Sequence, residues 1–280
     1  LMPAMTQLSY YDSAQARRPL VSELRNFWDY RGLIQLLVVR DLTVRYKRSA
    51  LGVWWTLLNP LLTSAVLWII FSNFFRFEID EAPYVVFLLS GILLATSFAQ
   101  GVNAAGSAIV NSSGVLSKVH VPAEVFSFAS ALASGVNLLI TVVPLLIIQA
   151  VHPQAIVPWT VVLVVIPTLA LVMLVAGLGL LVASAAVYFY DVLDLTNVLI
   201  QLVTYLIPTF YPLSIVPDRF LVFIRVNPLL AYLRVFRGFV FEGTFAAPVE
   251  FAVMGATSLT VLALGVWVFS RSWQKLVVLL

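Results

Sequence analysis

The chain contains no cysteine. Disulfide staples, thiolate nucleophiles and cysteine-based metal sites are therefore excluded, and the redox compartment is left undetermined. Charge is scarce as well. Asp, Glu, Lys and Arg make up 10% of the 280 residues, where soluble domains carry about 25%. A water-soluble fold of this size would lack the polar material to cover its surface, so its solvent must be lipid. No G-x-x-x-x-G-K-[ST] segment occurs, which excludes nucleotide binding through a P-loop. The two histidines, His120 and His152, stand far apart in sequence and offer neither a metal pair nor a nucleophile–base arrangement. No acid or base falls in the middle of any apolar run long enough to span a bilayer, where ion-coupled carriers keep their functional ionisable groups.

What is abundant is hydrophobic material in long stretches: 61% of residues, with a mean hydropathy of +1.01. A bilayer core of about 30 Å needs roughly 20 apolar residues as a helix, and lipid offers an open strand no hydrogen-bond partners. Six stretches qualify, at about 51–75, 84–109, 125–150, 157–187, 193–212 and 248–270. The expected fold is an all-α integral membrane protein with six transmembrane helices in a domain over 51–270. Eight of the sixteen Lys and Arg precede the first span, and Arg271 and Lys275 follow the last. The positive-inside rule then puts both termini in the cytoplasm, with tails at 1–27 and 271–280. The net charge of +3 sits beside an apolar segment and reads as membrane-surface charge, so no nucleic-acid partner is expected. A cleaved leader is not expected either, because the first apolar stretch begins only near residue 51 and is long enough to span.

Two segments are neither spans nor simple loops. Residues 28–48 predict an amphipathic interface helix. Val38, Val39, Leu42 and Tyr46 fall on one face for acyl chains, while Arg40, Arg45, Lys47 and Arg48 take the rest, near anionic headgroups. Between spans 5 and 6, about 213–241, two short apolar pieces are separated by Asn227-Pro228 and preceded by Pro208, Pro212 and Pro217. Their lengths favour a re-entrant helical hairpin dipping from the outer face over a pair of interfacial helices lying flat. Arg219, Arg225, Arg234 and Arg237 are then external, against the positive-inside rule.

Uncharged polar residues recur at helical spacing within the spans. Thr56, Asn59 and Thr63 share a face of span 1. Thr96, Gln100, Asn103 and Ser107 share one of span 2. Ser127, Ser130, Ser134, Asn137 and Thr141 share one of span 3, and Asn197, Gln201 and Thr204 one of span 5. A polar face meets another helix or an aqueous passage. Small-residue packing is the stronger reading for Ser and Thr, whereas packing and conduit stand level for Asn59, Gln100, Asn103 and Gln201. Span 4, nearly all Val, Leu, Ala and Gly, is expected to be more peripheral. Among the aromatics, Trp68, Phe71, Phe75 and Tyr205 fit an interfacial girdle or, alternatively, rings that stack on sugar faces. Asp191 and Asp194 form a weak D-x-x-D, with helix capping the favoured role of Asp191.

The stretches RDLTVRYKRSALGVWWTLLNPLL (40–62), FLLSGILL (87–94), IVNSSGVLSKVHVPAEV (109–125) and NPLLAYLRVFRGFVFEG (227–243) together resemble the ABC-2 permeases that export polysaccharides, such as the O-antigen, teichoic-acid and mycobacterial galactan exporters. The resemblance covers nearly the whole chain in family order. It implies a half-transporter with no catalytic site or cofactor of its own. Two copies would form a conduit at their interface, and two copies of a separate nucleotide-binding subunit would bind ATP and Mg. It gives Gly114, Val115, Leu116, Lys118 and His120, within about 114–120, the role of a coupling helix docked on that ATPase. It places Arg40, Asp41, Arg45, Tyr46, Lys47 and Arg48 at the cytoplasmic mouth, where a polyprenyl-linked substrate's pyrophosphate or an anionic membrane lipid could be engaged. Asn59, Thr63, Trp68, Phe71, Phe75, Gln100, Asn103, Gln201 and Tyr205 become the candidate conduit. Pro217, Arg225, Asn227, Pro228, Arg234 and Arg237 become an outer gate. The expected setting is a bacterial plasma membrane, and thirteen Arg against three Lys leans towards an actinobacterial galactan exporter. Two rivals are a polytopic enzyme acting on lipid-linked sugars, through Asp191, Asp194 or His120, and a channel or scaffold needing no energy.

Overall fold

The computed structural model describes residues 30–46, 54–70, 83–116, 118, 121–151, 156–189 and 191–276. Among the described residues every regular element is helical. In chain order these are α1 (Arg31–Tyr46), α2 (Trp54–Ile70), α3 (Tyr84–Asn111), the single turn α4 (Ser113–Leu116) and α5 (Glu124–Val151). A 3-10 turn (Trp159–Val164) then runs into α6 (Val165–Ala186). After it come α7 (Asp191–Tyr205), α8 (Asp218–Val226), α9 (Leu229–Arg237), which continues as a π turn (Gly238–Glu242), and α10 (Pro248–Leu276).

Four helical segments are long and apolar enough to cross a membrane: Tyr84–Asn111, Glu124–Val151, Trp159–Ala186 and Pro248–Ser272. They match the second, third, fourth and sixth expected spans within a few residues. α10 runs on to Leu276, so part of the expected C-terminal tail is helical. The other two are shorter. α2 has 17 residues, and the flanks of its expected span lie outside the described residues. α7 has 15 residues, about 22 Å of helix, and stops at Tyr205 rather than near 212. Pro208 explains the stop: it has no amide to continue the ladder and its ring drives Ile207 out of the helical region.

The core is built from the middle of the chain. α3 packs along α5 and α6, α5 and α6 pack on each other, and α6 makes its most extensive contact with α10. Leu88, Leu94, Leu138, Leu145 and Val175 lie fully buried among these helices. The central place of α6 overturns the expectation that span 4 is peripheral. Composition misleads because lipid-facing and helix-facing surfaces are equally apolar; what distinguishes α6 is small residues that let backbones meet. A Cβ on Gly177 would come 2.5 Å from the carbonyl oxygen of Val261, and one on Gly265 would collide with the backbone of Gly177.

α1 also differs from its expected orientation. It lies along α5 and buries Leu37, packed with Leu33, Ile34 and Val38 against Ala108, Val125, Phe126 and Ala129. Val39 is exposed, so the buried stripe is rotated from the expected Val38/Val39/Leu42/Tyr46 face towards Leu33/Leu37. The reason is a polar contact on that side: Ser130 Oγ donates to Asp41 Oδ2 at 2.8 Å, and Asp41 also accepts from Arg40 Nη2 at 2.9 Å.

The segment between α7 and α10 forms two short helices, α8 and α9, joined at Asn227-Pro228, and they are unlike each other. In α9 every side chain but Arg234 is buried, whereas in α8 only Ile224 is.

Candidate functional site

The polar stripes separate into two kinds. On α5, Ser127, Ser130, Asn137 and Thr141 are buried. Ser127 Oγ donates to Ala105 O of α3 at 2.9 Å. That stripe is a packing seam, as the small hydroxyl side chains suggest. α3 is mostly buried, yet Gln100 in its middle is exposed, as is Asn111 at its end, and the half-buried residues include Thr96, Asn103 and Ser107. The hydroxyls of Thr96 and Ser107 turn back onto carbonyls of their own helix, at 2.7 and 2.8 Å. The face left open on this otherwise enclosed helix is therefore its amide-bearing face.

The neighbours of α3 repeat the arrangement. α2 and α7 both pack on it. On α2, Asn59 and Thr63 are exposed and Trp68 is 45% exposed. On α7 only Thr196 and Ile200 are buried. Asn197 and Gln201 are open, and Gln201 Nε2 donates to the exposed Tyr205 hydroxyl at 3.3 Å. α3 and the two helices packed on it thus each leave uncovered a face that carries amides. Thr63 Oγ1 donates to Asn59 Oδ1 at 3.5 Å, yet an exposed amide has more donors and acceptors than one such bond uses, so water or a hydroxylated ligand suits these faces better than lipid does. Phe71 and Phe75 lie outside the described residues.

At the other end of α3, a small core joins three candidate elements. Leu116 of α4 and Val121 pack against the same Leu37–Phe126 cluster that seats α1. Val115 is 47% exposed, and Gly114 and Lys118 are exposed beside it. Ser112 O accepts from the amides of Val115 and Leu116, which closes the turn. Arg40 is exposed, held to Asp41. Arg45 and Tyr46 form the last residues of α1. Lys47, Arg48 and His120 lie outside the described residues. Asp191 begins α7 and Asp194 follows in its first turn.

Around the hairpin the proposed gate residues have distinct fates. Asn227 is an anchor: its Nδ2 donates to Val203 O of α7 at 2.8 Å and its Oδ1 accepts from Leu229 N at 3.1 Å. Pro228 opens α9 and Pro217 precedes α8. Arg234 forms an ion pair with Glu250 of α10, and Arg225 is exposed. Arg237 is 6% exposed. Its guanidinium donates to Pro208 O at 3.0 Å, Phe87 O at 3.0 Å, Thr209 O at 3.3 Å and Ser90 Oγ at 3.2 Å. It also lies 3.6 Å from the centroid of the Phe87 ring. Gly91 makes this possible, since a Cβ there would come 2.9 Å from both Arg237 Nη2 and Thr209 Cγ2. Tyr84 adds a further tie, its hydroxyl donating to Phe210 O at 2.7 Å. So α9, the start of α3 and the turn after α7 are fastened at one buried cation. Sequence pattern does not find this hub, though it holds one signal: an arginine that breaks the positive-inside rule needs a reason other than topology.

The sequence profile of the ABC-2 type transporter family matches residues 32–241. An O-antigen export system permease protein RfbA of Myxococcus xanthus is 28% identical over 247 residues, which cover 87% of this chain and 93% of that one. One from Klebsiella pneumoniae is 26% identical over 245 residues, covering 85% of this chain and 92% of its own. A second from the same organism is 26% identical over 219 residues, covering 75% and 82%.

Proposed function

The chain belongs to the ABC-2 type transporter family, and from that premise we propose that it is the membrane subunit of an ATP-driven polysaccharide exporter. The cargo is a glycan of O-antigen or galactan type linked to a polyprenyl pyrophosphate; the names of the relatives favour the O-antigen type. A separate subunit binds and hydrolyses ATP, two copies to an assembly. Two copies of this chain enclose the conduit across a bacterial plasma membrane. Each crosses it six times with both termini inside, using α2 and α7 with their flanks as the first and fifth spans, and α8–α9 as the re-entrant outer gate.

The observation that carries this reading is the contrast between stripes. α5 hides its polar residues, while α2, α3 and α7 leave Asn59, Gln100, Asn103 and Gln201 accessible. A second copy laid over those faces would cover α7, which its own chain leaves mostly bare, and would line a passage with amides and hydroxyls. Such groups exchange hydrogen bonds with a sliding sugar chain at little net cost, because each bond broken to one hydroxyl is remade to the next or to water. α4 suits the coupling role, with Val115 and Lys118 outward and Leu116 rooted in the core that also holds α1. A push on this turn then reaches the helix whose basic residues would hold the pyrophosphate.

The test is co-expression with the nucleotide-binding subunit, followed by ATPase and surface-polymer assays. Gln100→Leu with Asn103→Leu should leave assembly and ATPase intact and cut export at least tenfold, whereas Asn137→Leu on the buried stripe should lower the amount of folded protein. Replacing Gly114–His120 should separate ATP hydrolysis from export. Normal export by the Gln100/Asn103 double variant, or a chain that stays monomeric and exports without ATP, would refute the reading.

A further inference from the structure

Four arginines lie between α7 and α10, and two have partners within the fold. Arg234 pairs with Glu250 and Arg237 is enclosed by backbone carbonyls. Arg219 and Arg225 are exposed and, among the described residues, neither forms an ion pair. Their settings differ. The Arg219 guanidinium lies 4.8 Å from the centre of the Phe220 ring, and that ring is a wall of an open groove of about 350 Å³. Leu206 and Tyr211 after α7 form one side of the groove, Ile215 its end, and Phe220, Phe223 and Ile224 of α8 the other side. Arg225, by contrast, falls on the opposite side of α8 from Phe220 and Phe223.

An apolar groove with a cation at its lip matches a molecule with an aliphatic chain and an anionic head. The surroundings name its source. Phe223 in the groove wall, and Val222 and Val226 elsewhere on α8, expose more than three-fifths of their surface, as suits a helix that meets the bilayer. We propose that the groove between the end of α7 and α8 holds one acyl chain of an anionic phospholipid, with the Arg219 guanidinium on its phosphate. A guanidinium binds phosphate through two parallel N–H donors, while the ammonium of a zwitterionic headgroup competes for the same phosphate. The lipid wedges the segment broken by Pro208, Pro212 and Pro217, and so biases the stance of the hairpin. The proposal rests on the membrane-subunit reading for the depth of this segment and is independent of the exported cargo.

The test uses the full-length chain, delipidated in neutral detergent and titrated with phosphatidylglycerol or phosphatidylcholine of identical acyl chains, with bound lipid counted by native mass spectrometry. A basic side chain near a headgroup contributes on the order of 1 kcal/mol, so the wild type should retain phosphatidylglycerol about fivefold better. Arg219→Gln should abolish most of that preference and Arg225→Gln should keep it. Ile215→Trp, which fills the groove, should reduce retention of both lipids together. If it proves unstable, Phe220→Ser, which removes a wall, takes its place in the same comparison. Equal effects of the two arginine variants would mean diffuse electrostatics and overturn the proposal. So would undiminished binding by the groove variant. Preferential retention of a polyprenyl phosphate would also overturn it, making the occupant the cargo's carrier instead. The arginine and groove variants test the lipid site alone, and their failure leaves the export reading untouched.

Discussion

Arg237 offers a quantitative test of how the hairpin is held. Replacing it with Met keeps much of the volume and removes both the charge and the donors. Pro208 O and Thr209 O then lose the guanidinium that serves them at 3.0 and 3.3 Å, while Phe87 O keeps the Ser90 hydroxyl at 2.7 Å. Two buried acceptors left without donors cost about 1–3 kcal/mol each, and the desolvated contact with Phe87 adds roughly 2 kcal/mol. Against this, Met avoids the penalty of burying a cation, which is several kcal/mol. The gross loss of about 4–8 kcal/mol therefore shrinks to a net of roughly 2–4 kcal/mol. Arg237→Lys is the sharper comparison. It retains the charge and its burial penalty but reaches less far, with three donors on a compact head in place of a planar fork. The expected order of stability is Arg, then Met, then Lys. SDS titration of the purified protein in mixed micelles, followed by tryptophan fluorescence, measures it. A Lys variant equal to wild type would show that charge alone matters, and a Met variant equal to wild type would show that the carbonyl bonds contribute nothing. Either result refutes the reasoning.

Further predictions concern the packing. Gly265→Val drives a branched side chain into the backbone of Gly177 and should cost about 3 kcal/mol or more, read as loss of folded protein in size-exclusion chromatography. Gly255→Ala on the same helix, where a Cβ meets nothing within 4 Å, should leave the yield unchanged. Ser130→Ala removes the bond to Asp41 and should cost about 0.5–1.5 kcal/mol. Hydrogen exchange should then quicken across 31–46 and stay unchanged in α3; no change in α1 would show that the bond does not seat that helix.

The parts of this fold that were legible in the sequence are those set by a single helix and its solvent. The ends of α3, α5 and the 159–186 segment follow from runs of apolar residues between Pro, Gly and polar breaks, because a span must be about as long as the bilayer is thick. The spacing of Thr96, Gln100, Asn103 and Ser107 correctly gave a shared face, since helical periodicity is local. What was not legible depends on partners distant in sequence. Whether a polar face is a seam or a surface is decided by what lies over it: Ser127 finds Ala105, while Gln100 is left open. The orientation of α1 was misread because Ser130, 89 positions away from Asp41, cannot be anticipated from the heptad of α1 itself. α6 was misplaced because hydropathy does not separate lipid from a neighbouring helix as surroundings. Arg237 was placed at a gate without its role, since only folding brings the carbonyls of Phe87, Pro208 and Thr209 to one point.

The contact of Gly177 with Val261 and Gly265 decides where this protein bends. With main chain resting on main chain there is no cushion of side-chain atoms to compress or re-pack, so neither sliding nor tilting between α6 and α10 is cheap. The pair acts as a stiff keel, and α3 and α5, interlocked with α6, are carried along with it. Compliance is left to α2 and α7, which have less of their own chain around them than α3, α5 and α6 do. In the proposed two-copy arrangement, a passage bordered by such pieces would widen by parting at its margins, leaving the interior of each copy unchanged.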